Sequence, residues 1–170
     1  PSGRFDLHGR RQLMLTPLLI GCLVALFTMG IQVGAVVLML RYLLRLVSRQ
    51  SGKDRGFGFD TYVISMVLLV LFIGHLIQVG IWAALFVHLG EFSDFHTAFY
   101  HSLVNFASLG YGDIVMSEQW RMLGALESSI GVLMFGLTAG IMIAVMTPLF
   151  ARHSPSKEQV RRMHDTRDDS

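Results

Sequence analysis

A chain of 170 residues that is 52% hydrophobic and only 15% charged is too apolar for a soluble domain of that length. Its mean hydropathy is +0.53, so lipid is the expected surrounding for much of it. The formal charge of +2 does not point to nucleic acid, because the basic residues gather at the ends of apolar runs, as membrane topology requires.

Residues 1–17 form an N-terminal segment carrying Arg4, Arg10 and Arg11. Leu18 to Leu40 is the first apolar run, with Gln32 its only strongly polar side chain. About 20 apolar residues cross a bilayer. The run is too long for a cleaved leader and lacks a small-residue cleavage site, so it is expected to stay. Cys22, the single cysteine, lies within it and excludes an intrachain disulfide. Gly30-x-x-x-Gly34 has the spacing that lets helices approach closely in lipid. Beyond Leu40, Arg41, Arg45 and Arg49 fall at i, i+4 and i+8. If the helix runs on, they make one basic face, either for anionic lipid headgroups or as a solvated helix end. Residues 51–58 read as a flexible glycine-containing loop.

Tyr62 to Leu89 is the second run, broken only by His75, Gln78 and His88. His75 and Gln78 are expected to hydrogen-bond between helices and not to ligate. Ile77-Gln78-Val79-Gly80 echoes Ile31-Gln32-Val33-Gly34, too briefly to count as a repeat. His88, His96 and His101 raise metal binding or pH sensing, but no cysteine or carboxylate accompanies them at matched ligand spacing. Phe95 to Phe106 is apolar, aromatic-rich and too short to span. It reads as a helix that dips in and returns, with Ser93 or Asp94 as N-cap.

Ser108-Leu109-Gly110-Tyr111-Gly112-Asp113 follows. Successive carbonyls face one way only if residues alternate between right- and left-handed backbone, and glycine at 110 and 112 permits that. Irregular backbone at membrane depth is tolerated where it lines a water-filled cavity. The stretch resembles the filter of potassium-channel pores, and that resemblance implies four such ribbons around an axis, replacing the water shell of a monovalent cation, and hence a homotetramer.

Met122 to Phe150 is the third run. Glycines at 124, 131, 136 and 140 favour close packing and bending, and Pro148 is expected to end or kink the helix. Glu127 is its one charge, expected behind the ribbon and bonded to Asn105, Ser128 or backbone amides. Residues 41–60 carry five basic residues and the tail after Phe150 another five, whereas Glu91 to Trp120 carries four acids and no Lys or Arg. The positive-inside rule then puts 41–60 and 151–170 in the cytoplasm and the ribbon outside. Three full spans are favoured over a re-entrant first segment, although they leave the basic N-terminus outside.

The run from Ala107 to Asp113 resembles the Thr-Thr-Val-Gly-Tyr-Gly-Asp signature of potassium-channel pores. Trp120-Arg121 lies where those pores begin their inner helix, and Gly131 with Phe135-Gly136-Leu137 is similar to their hinge glycine and Phe-Gly-Leu step. The likeness covers Tyr62 to about Phe150. It is nearest to small bacterial channels of the two-pore-domain type with one extra N-terminal helix. It implies an all-α membrane protein of three transmembrane helices with a re-entrant pore helix and selectivity filter between the second and third. The implied divisions are an extra helix and basic loop over 18–60 and a pore domain over 61–150. Within the latter come an outer helix over 61–89, a pore helix over 95–107, a filter over 108–113 and an inner helix over 121–150. Potassium would be held at Ser108, Leu109, Gly110 and Tyr111, with Gly112 completing the carbonyl column. Tyr100 would reach Asp113 behind the filter, with Asn105 and Glu127 in support. Asp113 and Glu118 would charge the outer mouth, and Gly131 and Gly136 would be gating hinges. Leu109 stands where valine is usual and Ala107 where a hydroxyl is usual.

The resulting expectation is a potassium-selective, multi-pass channel of the cell membrane, with no cofactor beyond the permeant ion. A weakly selective cation channel is the alternative, and a non-conducting accessory subunit would need damage in a Gly-Tyr-Gly core that is intact. No nucleophile–base pair or metal set at usable spacing suggests an enzyme.

Overall fold

The computed structural model describes residues 3–49 and 56–153, and it is helical. The helices are α1 (Gly3–Arg49), α2 (Phe57–His88), α3 (Phe95–Phe106) and α4 (Arg121–His153). Three hold a stretch long and apolar enough to cross a membrane: Leu15–Leu46, Gly58–His88 and Arg121–Phe150. Backbone groups in lipid must be satisfied within the segment, and a continuous helix does that. Large apolar side chains such as Leu19, Leu23, Leu69 and Phe72 point outward and exposed, as lipid-facing positions do. Residues 50–55, with Lys53, Arg55 and most of the expected flexible loop, lie outside the described residues, as does the tail from 154.

Two apolar clusters set the helix directions. At one end Ala25 of α1 packs with Trp82, Ala83 and Phe86 of α2, Ala98 of α3 and Leu123 of α4. At the other, Val36, Met39 and Leu43 of α1 meet Val63, Val67 and Leu71 of α2, with Ile141, Met142 and Val145 of α4 beside them. So α1 and α4 run the same way and α2 runs against both. The early part of α1 lies at the end that carries α3, and α1 crosses the whole bundle.

The helices overrun the apolar runs. α1 starts at Gly3 and continues through Pro17 to Arg49, because helix-forming polar residues extend a helix past the point where hydropathy falls. α2 starts at Phe57, with Gly56 as N-cap. Pro148 does not end α4, which continues to His153. The proline removes the donor to Ala144's carbonyl, and beside it Thr147 Oγ1 donates to Ile143's carbonyl at 2.7 Å. Hydroxyls of this kind help a proline-containing helix persist in lipid.

Two polar contacts inside the bundle join helices. Gln78 Nε2 donates to Gln32 Oε1 at 3.1 Å, so the two glutamines of the short sequence echo meet at the α1–α2 crossing. Gly74 makes room there, since a Cβ on it would fall 2.2 Å from Gln32 Oε1. His75 Nε2 lies 2.9 Å from Thr138 Oγ1 of α4, with its ring between Phe106 and Phe135. Among the described residues, a Cβ on Gly30, Gly34, Gly136 or Gly140 would meet nothing within 4 Å.

Candidate functional site

The site begins with how α3 is capped. Asp94 Oδ1 accepts from Thr97 N at 2.8 Å, satisfying an amide that the first helical turn leaves open. That amide holds the Asp94 carboxyl below the ordinary aspartate range. At the far end Leu109 N donates to Val104 O at 2.9 Å and Ser108 N to Asn105 O at 2.8 Å. This pair of bonds is the Schellman arrangement, which needs a left-handed residue at the position Ser108 fills. Ser108 has φ +56°, and it is the only non-glycine with positive φ among the described residues.

The left-handed turn then repeats at every second residue, with Gly110 at φ +61° and Gly112 at φ +71°. Leu109 and Tyr111 stay on the right-handed side. All six residues from 108 to 113 are exposed in the single chain. No carbonyl from 108 to 112 accepts a hydrogen bond among the described residues. A strip of backbone whose oxygens are unused, on alternating conformations that only glycine takes without strain, is suited to replacing the hydration of a cation.

Two side-chain ties hold the exit of the ribbon. Tyr100 Oη donates to Asp113 Oδ2 at 2.8 Å, and that bond raises the tyrosine pKa. Glu91, which sequence reading missed, accepts from Ser117 N at 2.7 Å and Ser117 Oγ at 2.7 Å. It clasps the loop after α2 to the loop before α4. Its only sequence signal was membership in the acidic, base-free segment. Glu118 lies 3.8 Å from Arg121 Nη1, and both side chains are exposed, so part of its charge is offset locally.

Glu127 is fully buried behind α3. Its hydrogen bond is with Ser102 Oγ of α3, and the same hydroxyl lies 2.9 Å from Val79 O of α2. Of the expected partners, Ser128 Oγ donates instead to Asn105's carbonyl at 2.6 Å, while the Asn105 side chain, with Nδ2 2.9 Å from His101 Nε2, also reaches the Glu127 carboxyl. Ser102 wins because it projects from the face of α3 that α2 and α4 share. Glu127 Oε2 accepts no hydrogen bond within 3.5 Å among the described residues. Gly131 is placed by contact: a Cβ there would fall 1.9 Å from Phe106 O, so α4 meets the end of α3 backbone to backbone. Gly136 is exposed and open. Among the described residues no group of three His, Cys, Asp or Glu could hold a metal; His88 and His96 are exposed, and His101 is buried on α3.

Comparison with known families agrees with this geometry. Residues 67–147 match a family model described as ion channel, a stretch that runs from mid-α2 through α3 and the ribbon to near the end of α4. No curated protein and no solved structure matches the chain. A short helix held between two spanning helices, a ribbon of alternating handedness at its end and the family match coincide on the same residues. Residues 67–147 are thus similar to an ion-channel pore family.

Proposed function

We propose that the protein is a potassium-selective channel whose filter is built from four copies of the Ser108–Gly112 ribbon. The observation that carries this is the alternation of positive φ at residues 108, 110 and 112, in a segment whose carbonyl oxygens have no partner among the described residues. One ribbon presents oxygens on one side only, and a dehydrated cation must be surrounded, so the reading requires a homotetramer. In it, potassium is coordinated at Ser108, Leu109, Gly110 and Tyr111, and Asp113 and Glu118 stand at the mouth. Asn105 and Glu127 support the filter from behind. Gly136 is the freer hinge, because Gly131 is committed to its contact with Phe106. The membrane is the cell membrane, with the ribbon outside. Arg41 and Arg45, both exposed on α1, meet anionic headgroups at the inner face; the side chain of Arg49, expected on the same face, lies outside the described residues.

Reconstituted protein should give a reversal potential that follows the potassium gradient when sodium is exchanged for it. Gly110→Ala should abolish that flux while the protein still inserts and assembles. A side chain in the left-handed region costs of order 1–3 kcal/mol, and four copies raise this to roughly 4–12 kcal/mol per pore. A potential that follows sodium equally would move the protein to the weakly selective class.

A further inference from the structure

One side chain reaches both ends of the ribbon. His101 lies on α3, buried at 6% exposure, with its ring against Phe86 and Phe92. Nδ1 is 3.1 Å from the carbonyl oxygen of Ile114, just past the ribbon. Nε2 is 2.9 Å from Asn105 Nδ2, just before it. Asn105 in turn accepts from Ser108 N through its main-chain oxygen at 2.8 Å. The ring therefore closes the base of the loop that the ribbon forms.

Only one neutral tautomer serves both contacts. A carbonyl can only accept, so Nδ1 carries the proton; an amide nitrogen can only donate, so Nε2 is bare. A second proton turns Nε2 into a donor facing a donor. The remedy would be to turn the Asn105 amide over, but the same side chain also supports the Glu127 carboxyl, a contact that the turned amide would give up. We propose that His101 is a positioning residue that clamps the two ends of the ribbon only as the neutral Nδ1–H imidazole, so that acid on the ribbon side releases the clamp and shuts conduction. The conduction part rests on the reading of the ribbon as a filter.

The surroundings give the clamp a direction and a sign. Glu91 and Asp113 belong to the loops on the ribbon side and favour the imidazolium. Arg121 of α4 lines the same cavity of about 270 Å³ as His101, Asn105 and Ile114, and Glu127 lies against the adjacent Ser102. From α2 the ring meets the apolar Phe86. Burial is the largest influence and lowers the His101 pKa. A lowered value means the clamp is intact above the ordinary histidine pKa of about 6.5 and is lost as pH falls through the lowered one.

The test uses liposomes holding the full chain, with pH varied on the ribbon side from 8 to 5. Native potassium flux should fall about tenfold for each pH unit below the midpoint, following the neutral fraction. His101→Gln offers one donor and one acceptor without titrating, and should keep its flux over that range. On native protein, the ¹⁵N signal of the ring coupled to a ¹³C-labelled Ile114 carbonyl should report Nδ1–H at pH 8. In acid that coupling should persist, while the Asn105 side-chain ¹⁵N signal should shift in step with the flux as Nε2 stops accepting from it. An Nε2–H tautomer at pH 8, a ring that titrates without any change in flux, or a His101→Gln curve matching the native one would overturn the proposal. If native protein carries no potassium flux at pH 8, the channel reading fails, while the tautomer at pH 8 and the shift of the Asn105 signal in acid still decide the clamp.

Discussion

Ser108 ends α3 and starts the ribbon in one backbone conformation. The left-handed turn that caps the helix also sets the phase in which Gly110 and Gly112 follow. Placing a side chain there costs about 1–2 kcal/mol, and the two bonds closing the helix end hold it. The glycines announced the alternation in the sequence; the serine did not, because its conformation comes from the helix cap. Glu127 was legible as an intramembrane acid needing a partner, but not as bonded to Ser102, since that choice depends on how α2, α3 and α4 come together. Glu127→Gln retains a donor and an acceptor for Ser102. Glu127→Ala leaves a hole and a hydroxyl with one partner fewer, at about 1–3 kcal/mol per subunit. In detergent, Glu127→Ala should melt several degrees below native protein and Glu127→Gln should stay close to it. Equal melting temperatures for all three would show that the buried contact contributes nothing.

At the scale of elements, apolar length made all three spans readable, and the short aromatic run with its Asp94 cap made α3 readable. Their ends were less so, because α1 and α4 run past charges and through Pro17 and Pro148. Contacts between distant positions were hidden as well: the Gln32–Gln78 pair, the Glu91–Ser117 clasp and the approach of Gly131 to Phe106. The glutamine pair joins α1 to the pore unit. Changing either glutamine to leucine strands the other's polar group in an apolar crossing, so each single change should destabilise. The double change should cost less than the sum, with a coupling of about 0.6–1.7 kcal/mol, the range found for hydrogen bonds between membrane helices. Unfolding in mixed micelles measures the cycle, and strictly additive effects would mean the two side chains do not cooperate.

For the whole molecule, the chain leaves its ribbon exposed and its carbonyls unshared, which four copies would cure. Four copies would also place Asp113 and Glu118 around one mouth, where they would concentrate cations over a distance of about 10 Å at 0.1 M salt. Arg121 lies close to Glu118, so Glu118→Gln should lower inward conductance modestly, and chiefly at low ionic strength. The same loss at high salt would remove the electrostatic explanation. The central claim is that alternating backbone in four chains makes a dehydrated potassium site. The most direct measurement is a map of the assembled protein in potassium. The claim predicts a fourfold particle with separate ion densities on the axis, level with the carbonyls of residues 108–111. A particle without fourfold symmetry, or a fourfold axis with no ion density at that level, would contradict it.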